Sequence, residues 1–288
     1  MRWIVLLLAL AAGLLPIPPV AAADIKMATW NLEWLTARHA GDRALPRDVV
    51  PKSDADIAAL RRYAAQLAAD VVAIQEVDGT EIAARIFPPD RYVIHMTHDS
   101  VIQRVGIAIS RDIRFTANPD LASLDTAPEG HRHLRSGADV TLDFQGARVR
   151  LLAVHLKTGC RQDPLASSSR GECATLRQQL AALQGWIAER RREGMPFVLL
   201  GDFNRWMDNG DAFWAGLQRG GGLARATTGA YSPCWGGGGF IDHIVAGGAA
   251  REWLAPHSLK VLVYRETDAA AKAHLSDHCP VSAVLRLP

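Results

Sequence analysis

The chain has 288 residues, 49% hydrophobic and 22% charged. That composition excludes a disordered or coiled-coil protein and suits one large single-domain core. The formal net charge of +2 lacks the bulk signature of a tight nucleic-acid binder, although local patches can still steer an anion.

Residues 1–23 read as a secretory signal peptide. Arg2 supplies the positive start and Trp3–Leu15 the apolar stretch. Pro16, Pro18 and Pro19 break it, and Ala21-Ala22-Ala23 fits a cleavage site before Asp24. The stretch is too short and wrongly flanked for a membrane span. Cleavage after Ala23 leaves 31 basic against 30 acidic residues, and places the mature chain, residues 24–288, in the periplasm or outside the cell.

Ile25–Trp30 reads as the first strand, closed by Asn31 in the segment MATWNLEW. Ser53 with Asp56 three residues on is a helix start, followed by the stripe Ile57, Leu60, Ala64, Leu67. Val71–Gln75 is a short buried strand ending at Glu76. Thr80–Phe87 reads as a helix stopped by Pro88-Pro89. Tyr92–Met96, Val105–Ile109 and Val140–Phe144 are strands, and Arg148–Leu156 is a central one carrying His155. Leu176, Leu180, Leu183 and Ile187 lie on one face of a long helix, which ends in Arg190-Arg191-Arg192 at its negative pole. Phe197–Leu200 runs into Gly201, Asp202 and Asn204. Ile241–Ala246 contains Asp242. Leu259–Tyr264 and Val281–Leu285 complete the strands, and Asp277 and His278 precede the last. With no repeat and no linker, this mixture suits two packed sheets with helices outside.

Export makes the four cysteines candidates for pairing, with three possible connectivities. Local spacing favours Cys160–Cys173, closing a loop whose chain-entropy contribution is about 3 kcal/mol. Cys234–Cys279 is then the remaining pair, tying the Gly-rich loop to the strand start after His278. No C-x-x-C spacing supports a cysteine metal site.

Six polar clusters thus stand at strand ends. Carboxylates, carboxamides and imidazoles gathered at one sheet edge suit phosphoester hydrolysis aided by a hard metal. A divalent cation neutralises the phosphate and stabilises the leaving oxygen. Magnesium needs only one or two carboxylates, with manganese or calcium as substitutes. Glu76 and Asp277 are the candidate carboxylates, and Asn31 a neutral oxygen beside them. Asp202 is the candidate for orienting or deprotonating water, with Asn204 to hold a phosphate oxygen, since residues i and i+2 share a face. A lone Asp after a strand is as often a turn or cap. His278 can hold or protonate phosphate if a carboxylate fixes its tautomer. Asp242 is that partner, because an extended backbone turns the Asp277 side chain away from His278.

The segments WNLEW, QEV, VHLK, GDFN, IDHI and SDHCPV together resemble the endonuclease/exonuclease/phosphatase superfamily, over nearly the whole mature chain. The resemblance implies a four-layer α/β sandwich, two mixed sheets packed face to face with helices outside. It puts Asn31 and Glu76 on the metal side. Asp202 and Asn204 become the water and phosphate pair, with Asp242 supporting His278 and Asp277 in the closing motif. His155 resembles the second histidine of the nuclease and lipid-phosphodiesterase branches. The phosphate-binding residue of mid-chain is Arg104, Arg132 or Arg135. His243 follows Asp242 where many relatives carry Arg or Tyr. Trp30, Trp34, Trp206 and Trp235 flank the clusters, with core packing favoured over base stacking. The run Gly236–Gly239 has no P-loop lysine and reads as a rim loop.

The expected function is a monomeric, exported, Mg-dependent phosphodiesterase acting on nucleic acid. The alternative is the same chemistry on a phospholipid head group or an inositol phosphate, which the near-neutral charge suits equally. A non-catalytic binding protein would not need every acid and histidine in place.

Overall fold

The computed structural model describes residues 23–127 and 133–288. The signal-peptide reading falls on residues 1–23, of which 1–22 lie outside the described residues, as does Arg132. In chain order the elements are β1 (Ala23–Leu35), α1 (Asp54–Leu67), β2 (Val71–Val77), α2 (Thr80–Ala84), β3 (Tyr92–Met96), β4 (Arg104–Ser110), β5 (Arg114–Ala117), β6 (Ala138–Phe144) and β7 (Ala147–His155). There follow α3 (Gly171–Arg192), β8 (Phe197–Asp202), α4 (Ala212–Leu217), β9 (Leu223–Arg225), β10 (Asp242–Gly247), α5 (Ala250–Trp253), β11 (Lys260–Val261), α6 (Ala269–His274) and β12 (Val281–Leu287).

The strands form two six-stranded mixed sheets, ordered β11-β12-β1-β2-β4-β3 and β5-β6-β7-β8-β10-β9. Alternation along each strand explains the layering. In β1, Ile25 and Met27 enter the core between the sheets, where Val198 and Leu200 of β8 and Leu151 of β7 also sit. Ala28 and Trp30 face the other way, onto Ile57 and Leu60 of α1. On the second sheet, Leu199 and Val154 point outward to Leu176 and Leu183 of α3 and Phe213 of α4. The result is a four-layer sandwich, helix–sheet–sheet–helix.

The capping box of α1 forms as the spacing predicts. Ser53 N–H donates to Asp56 Oδ2 at 2.8 Å, and Asp56 N–H donates back to Ser53 Oγ at 3.2 Å. Other expectations change. The helix expected over Thr80–Phe87 stops at Ala84, because Ile86 and Phe87 turn fully into the core. The strand expected over Leu259–Tyr264 keeps only Lys260–Val261. Tyr264 leaves the sheet edge to accept a hydrogen bond from Trp30 Nε1 at 2.8 Å. Two short edge strands, β5 and β9, gave no apolar signal; β5 is largely exposed.

Pairing direction collects the polar residues. β1 and β2 are parallel, as are β7 and β8, so Asn31, Glu76, His155 and Asp202 all come at C-terminal ends of strands. β10 is antiparallel to β8, so its first residue, Asp242, lies opposite Asp202. β12 begins opposite Thr29 of β1, which brings Asp277 and His278 to the same edge. Cys160 pairs with Cys173, and Cys234 with Cys279. The second bridge ties the loop after Pro233 to the residue following His278.

Candidate active site

The backbone at this edge is strained where side chains must converge. Glu33, Trp34, Glu76 and Asn204 all adopt positive φ without being glycine, a conformation that persists only where the surroundings impose it. Gly201 has φ +151°, and a Cβ there would stand 2.0 Å from the Val154 carbonyl oxygen. Only glycine allows β8 to approach β7 closely enough to set Asp202 beside His155.

Asp202 is buried at the centre. Its Oδ1 accepts the Asn204 backbone N–H at 2.8 Å. Its Oδ2 accepts from Asn204 Nδ2 at 3.0 Å and from Asn31 Nδ2 at 3.2 Å. Burial pushes its pKa up to about 7, with Asp242 adding to the rise and His278 opposing it. The second Nδ2 hydrogen of Asn204 goes to the Leu156 carbonyl at 3.1 Å. Both Asn204 amide hydrogens therefore have acceptors within the chain, one on Asp202 and one on Leu156.

His278 Nδ1 lies 2.8 Å from Asp242 Oδ2, and Nε2 lies 3.7 Å from Asp202 Oδ2. Burial disfavours the imidazolium, but Asp242 and Asp202 outweigh it and hold the pKa well above the ordinary value. Asp242 Oδ1 is buried without a partner among the described residues. Asp202, Asp242 and His278 each offer an atom within 4.8 Å of the others. The segment before β12 is bent, not extended, so Asp277 does not turn away: its Oδ1 is 3.7 Å from His278 Nε2.

His155, the last residue of β7, is buried with Nε2 3.6 Å from both Glu76 Oε1 and Asp202 Oδ2. Burial, then the charges of Arg135 and His278, push its pKa well below the ordinary value, so the ring is neutral. Its Nδ1 has no partner among the described residues.

Glu76 stands on the other side. It accepts from Asn31 Nδ2 at 3.0 Å and from the Trp34 backbone N–H at 3.3 Å. Asn31 Oδ1 accepts the Glu33 N–H at 2.9 Å. Asn31 therefore presents its amide nitrogen to two carboxylates, where its oxygen was expected to face a metal.

Three residues not singled out from the sequence, Gln103, Glu33 and Lys52, complete this side. Gln103 donates to Glu76 Oε2 at 2.5 Å, and its Oε1 accepts from Arg135 Nη2. Arg135 also donates from Nε to the Gln103 backbone carbonyl at 3.3 Å. Glu33 accepts the Asp277 backbone N–H at 2.7 Å. Burial, then Asp277, raise its pKa to about 7, with the buried Lys52 opposing. Glu33 was in view, two residues after Asn31 in WNLEW. Nothing local marks Gln103 or Lys52.

Of the two candidate arginines among the described residues, Arg135 reaches this cluster, part-buried and close enough to feel the charges of Glu76 and Asp202. Arg104 instead donates to the Asp78 carbonyl at 2.6 Å and packs beneath Gly79. His243 is buried, with both ring nitrogens engaged by the protein: Nδ1 accepts from Thr227 Oγ1 (2.6 Å) and Nε2 donates to the Arg205 carbonyl (3.0 Å). Trp30 is core, as favoured, whereas Trp206 and Trp235 line a cleft of about 270 Å³ with Asp242, His278, Arg161 and Lys272.

The geometry defines a two-sheet α/β sandwich with a buried carboxylate–histidine centre at one edge. The chain belongs to the endonuclease/exonuclease/phosphatase family, whose model matches residues 28–278. No curated protein sequence matches it. Among solved structures it is similar to D. rerio TDP2 complexed with single strand DNA product, at 16% identity and TM-score 0.60, covering 91% of this chain and 98% of that one. The catalytic domain of human Nocturnin with bound sulfate anion is similar at 15% identity and TM-score 0.59, with 92% and 95% covered. The 3′ phosphatase NExo from Neisseria, bound to product DNA hairpin, gives 18% identity and TM-score 0.57, with 90% and 98% covered. At these identities the likeness is one of fold.

Proposed function

We propose that the chain is an exported, magnesium-dependent phosphodiesterase, and specifically a nuclease acting on DNA or RNA. The observation that carries this is the His278–Asp242 pair facing Asp202, with Glu76 held opposite. The family's members are phosphoric ester hydrolases, and two neighbours are complexed with DNA products.

The donor set fits a hard divalent ion. The half-buried Glu33 feels the negative charge of both Asp277 and Glu76, with the buried Lys52 opposing, a charge balance that an oxygen-seeking cation relieves. Glu76 and Asp277 would hold it, with Glu33 adjacent and Asn31 steadying Glu76. When bound, the ion supplies charge neutralisation at the phosphate and the leaving oxygen.

The chain's own residues carry the rest. Asp202, with a pKa near 7, orients the attacking water and takes its proton. Asn31 and Asn204 fix the Asp202 carboxylate. His278, kept protonated by Asp242, donates to the phosphate or to the departing oxygen. Neutral His155 offers one N–H to a non-bridging oxygen, and Arg135 balances the anion's charge. The two disulfides support an oxidising, extracytoplasmic location.

The near-neutral charge leaves a phospholipid head group or inositol phosphate as the competing substrate. No helix among the described residues is long and apolar enough to cross a membrane. The purified mature protein, assayed on plasmid, RNA, sphingomyelin and phosphoinositides, decides. Nucleic-acid cleavage that stops with EDTA is expected. Activity surviving chelation sinks the metal requirement, and turnover confined to lipids sinks the nuclease assignment.

A further inference from the structure

Arg225 is the last residue of β9, opposite Val245. It is 6% exposed, with its guanidinium carbon 4.6 Å from the centre of the Trp214 ring. Nε and Nη1 are buried and have no acceptor among the described residues. Asp211 is already joined to Arg205 at 2.5 Å, and Asp208 and Asp211 act on Arg225 only at a distance. A buried charge without hydrogen bonds is costly, and each such group in a folded protein calls for an explanation. An apolar side chain could stack on Trp214 without that cost.

A cavity of about 330 Å³ adjoins Arg225. Tyr231, 81% exposed, stands on its wall. Trp206, Gly239 and Phe240 line both this cavity and the cleft containing Asp242 and His278. The two spaces therefore share a wall. Val245 is three residues along β10 from Asp242, roughly 10 Å at about 3.3 Å per residue.

The geometry points to a subsite for a flanking nucleotide of the substrate, its phosphate on Arg225 and its base on Tyr231. This rests on the phosphodiesterase reading above. Guanidinium suits phosphate because its N–H groups match paired oxygens, and an exposed ring suits a base because every base has a stacking face. Together they select a polynucleotide over a small phosphodiester.

The test compares wild type, Arg225→Met, Arg225→Lys and Tyr231→Ala on bis(p-nitrophenyl) phosphate, a dinucleotide and a dodecanucleotide, with thermal melting recorded for each. For the dodecanucleotide, Arg225→Met is expected to raise KM about tenfold and Tyr231→Ala roughly threefold, with kcat unchanged. Turnover of bis(p-nitrophenyl) phosphate should stay within about twofold in both, and Arg225→Lys should fall between. An unchanged KM, or a loss shared equally by the small substrate, overturns the subsite. If Arg225→Met does not fold, Arg225→Lys and Tyr231→Ala carry the same comparison.

If the wild type cleaves no phosphodiester, the functional reading fails separately. The subsite is then judged by titrating adenosine monophosphate and inorganic phosphate against tryptophan fluorescence. Nucleotide binding that is tighter than phosphate and weakened in Arg225→Met supports it. Equal binding of the two, or no effect of the substitution, overturns it.

Discussion

Gln103 holds Glu76 by a direct side-chain hydrogen bond, and the same side chain receives Arg135. One amide thereby sets the spacing between the proposed metal carboxylate and the proposed phosphate-binding guanidinium. Such outer contacts commonly govern metal affinity by about 10–100-fold. Replacing Gln103 with Leu should raise the magnesium concentration for half-maximal activity about tenfold or more and lower kcat/KM, with the melting temperature little changed. A magnesium titration of both proteins checks it; superimposable curves would show that Gln103 positions nothing.

The pH profile should respond to Asp242. The His278 imidazolium is stabilised by Asp242 and Asp202 against the pull of burial. If the protonated ring is the working form, kcat/KM declines as pH rises through its pKa. Replacing Asp242 with Asn removes the largest favourable charge, so the alkaline decline should begin roughly one to two units lower. The same raised pKa makes the pair stabilising below the unfolded histidine's value, an effect lost as pH rises through the folded value. A decline at unchanged pH in the variant would separate His278 from that limb.

Gly201→Ala should be among the most damaging single changes. The new Cβ would meet the Val154 carbonyl carbon and oxygen, both backbone atoms, and φ +151° is hostile to any side chain. A loss of about 3–5 kcal/mol is expected in denaturant unfolding. A loss below about 1 kcal/mol would mean that β7 and β8 do not approach as described.

His243 should make the fold sensitive to acid. Burial lowers its pKa to about 3 from the usual 6.5. Below pH 6.5 the unfolded chain takes up a proton that the folded chain refuses until about pH 3. Its stabilising contribution is thus complete above pH 6.5 and falls by up to roughly 1.4 kcal/mol per unit on acidification. Unfolding midpoints at pH 7 and pH 4.5 should diverge less in His243→Gln than in the wild type. Equal divergence would assign acid sensitivity to other groups.

The strand ends show how much of the site could be read along the chain. Asn31, Glu76, His155, Asp202 and Asp242 each follow or open an apolar run, and a run of buried strand residues announces itself by composition alone. The pairing of Cys160 with Cys173 was favoured by spacing, because a short loop constrains its own ends. Gln103 was not legible: it lies in a loop, and its meaning comes from Glu76 and Arg135, 27 and 32 residues away. The choice among Arg104, Arg132 and Arg135 was equally closed; of the two that are described, only packing sends Arg104 to Asp78 and Arg135 to the centre.

By itself the sequence determined most of the strands, which polar groups end them, and hence the class of chemistry on offer. Those are local properties, written in periodicity and residue type. Tertiary structure alone decided which atoms meet. It turned the Asn31 amide nitrogen, not its oxygen, toward Glu76 and Asp202. It committed the Asn204 amide to Asp202 and Leu156, bent Asp277 back toward His278, and left Arg225 Nε and Nη1 buried without an acceptor among the described residues. Each outcome depends on distances between residues far apart in the chain, set by sheet register and by the packing of one sheet on the other.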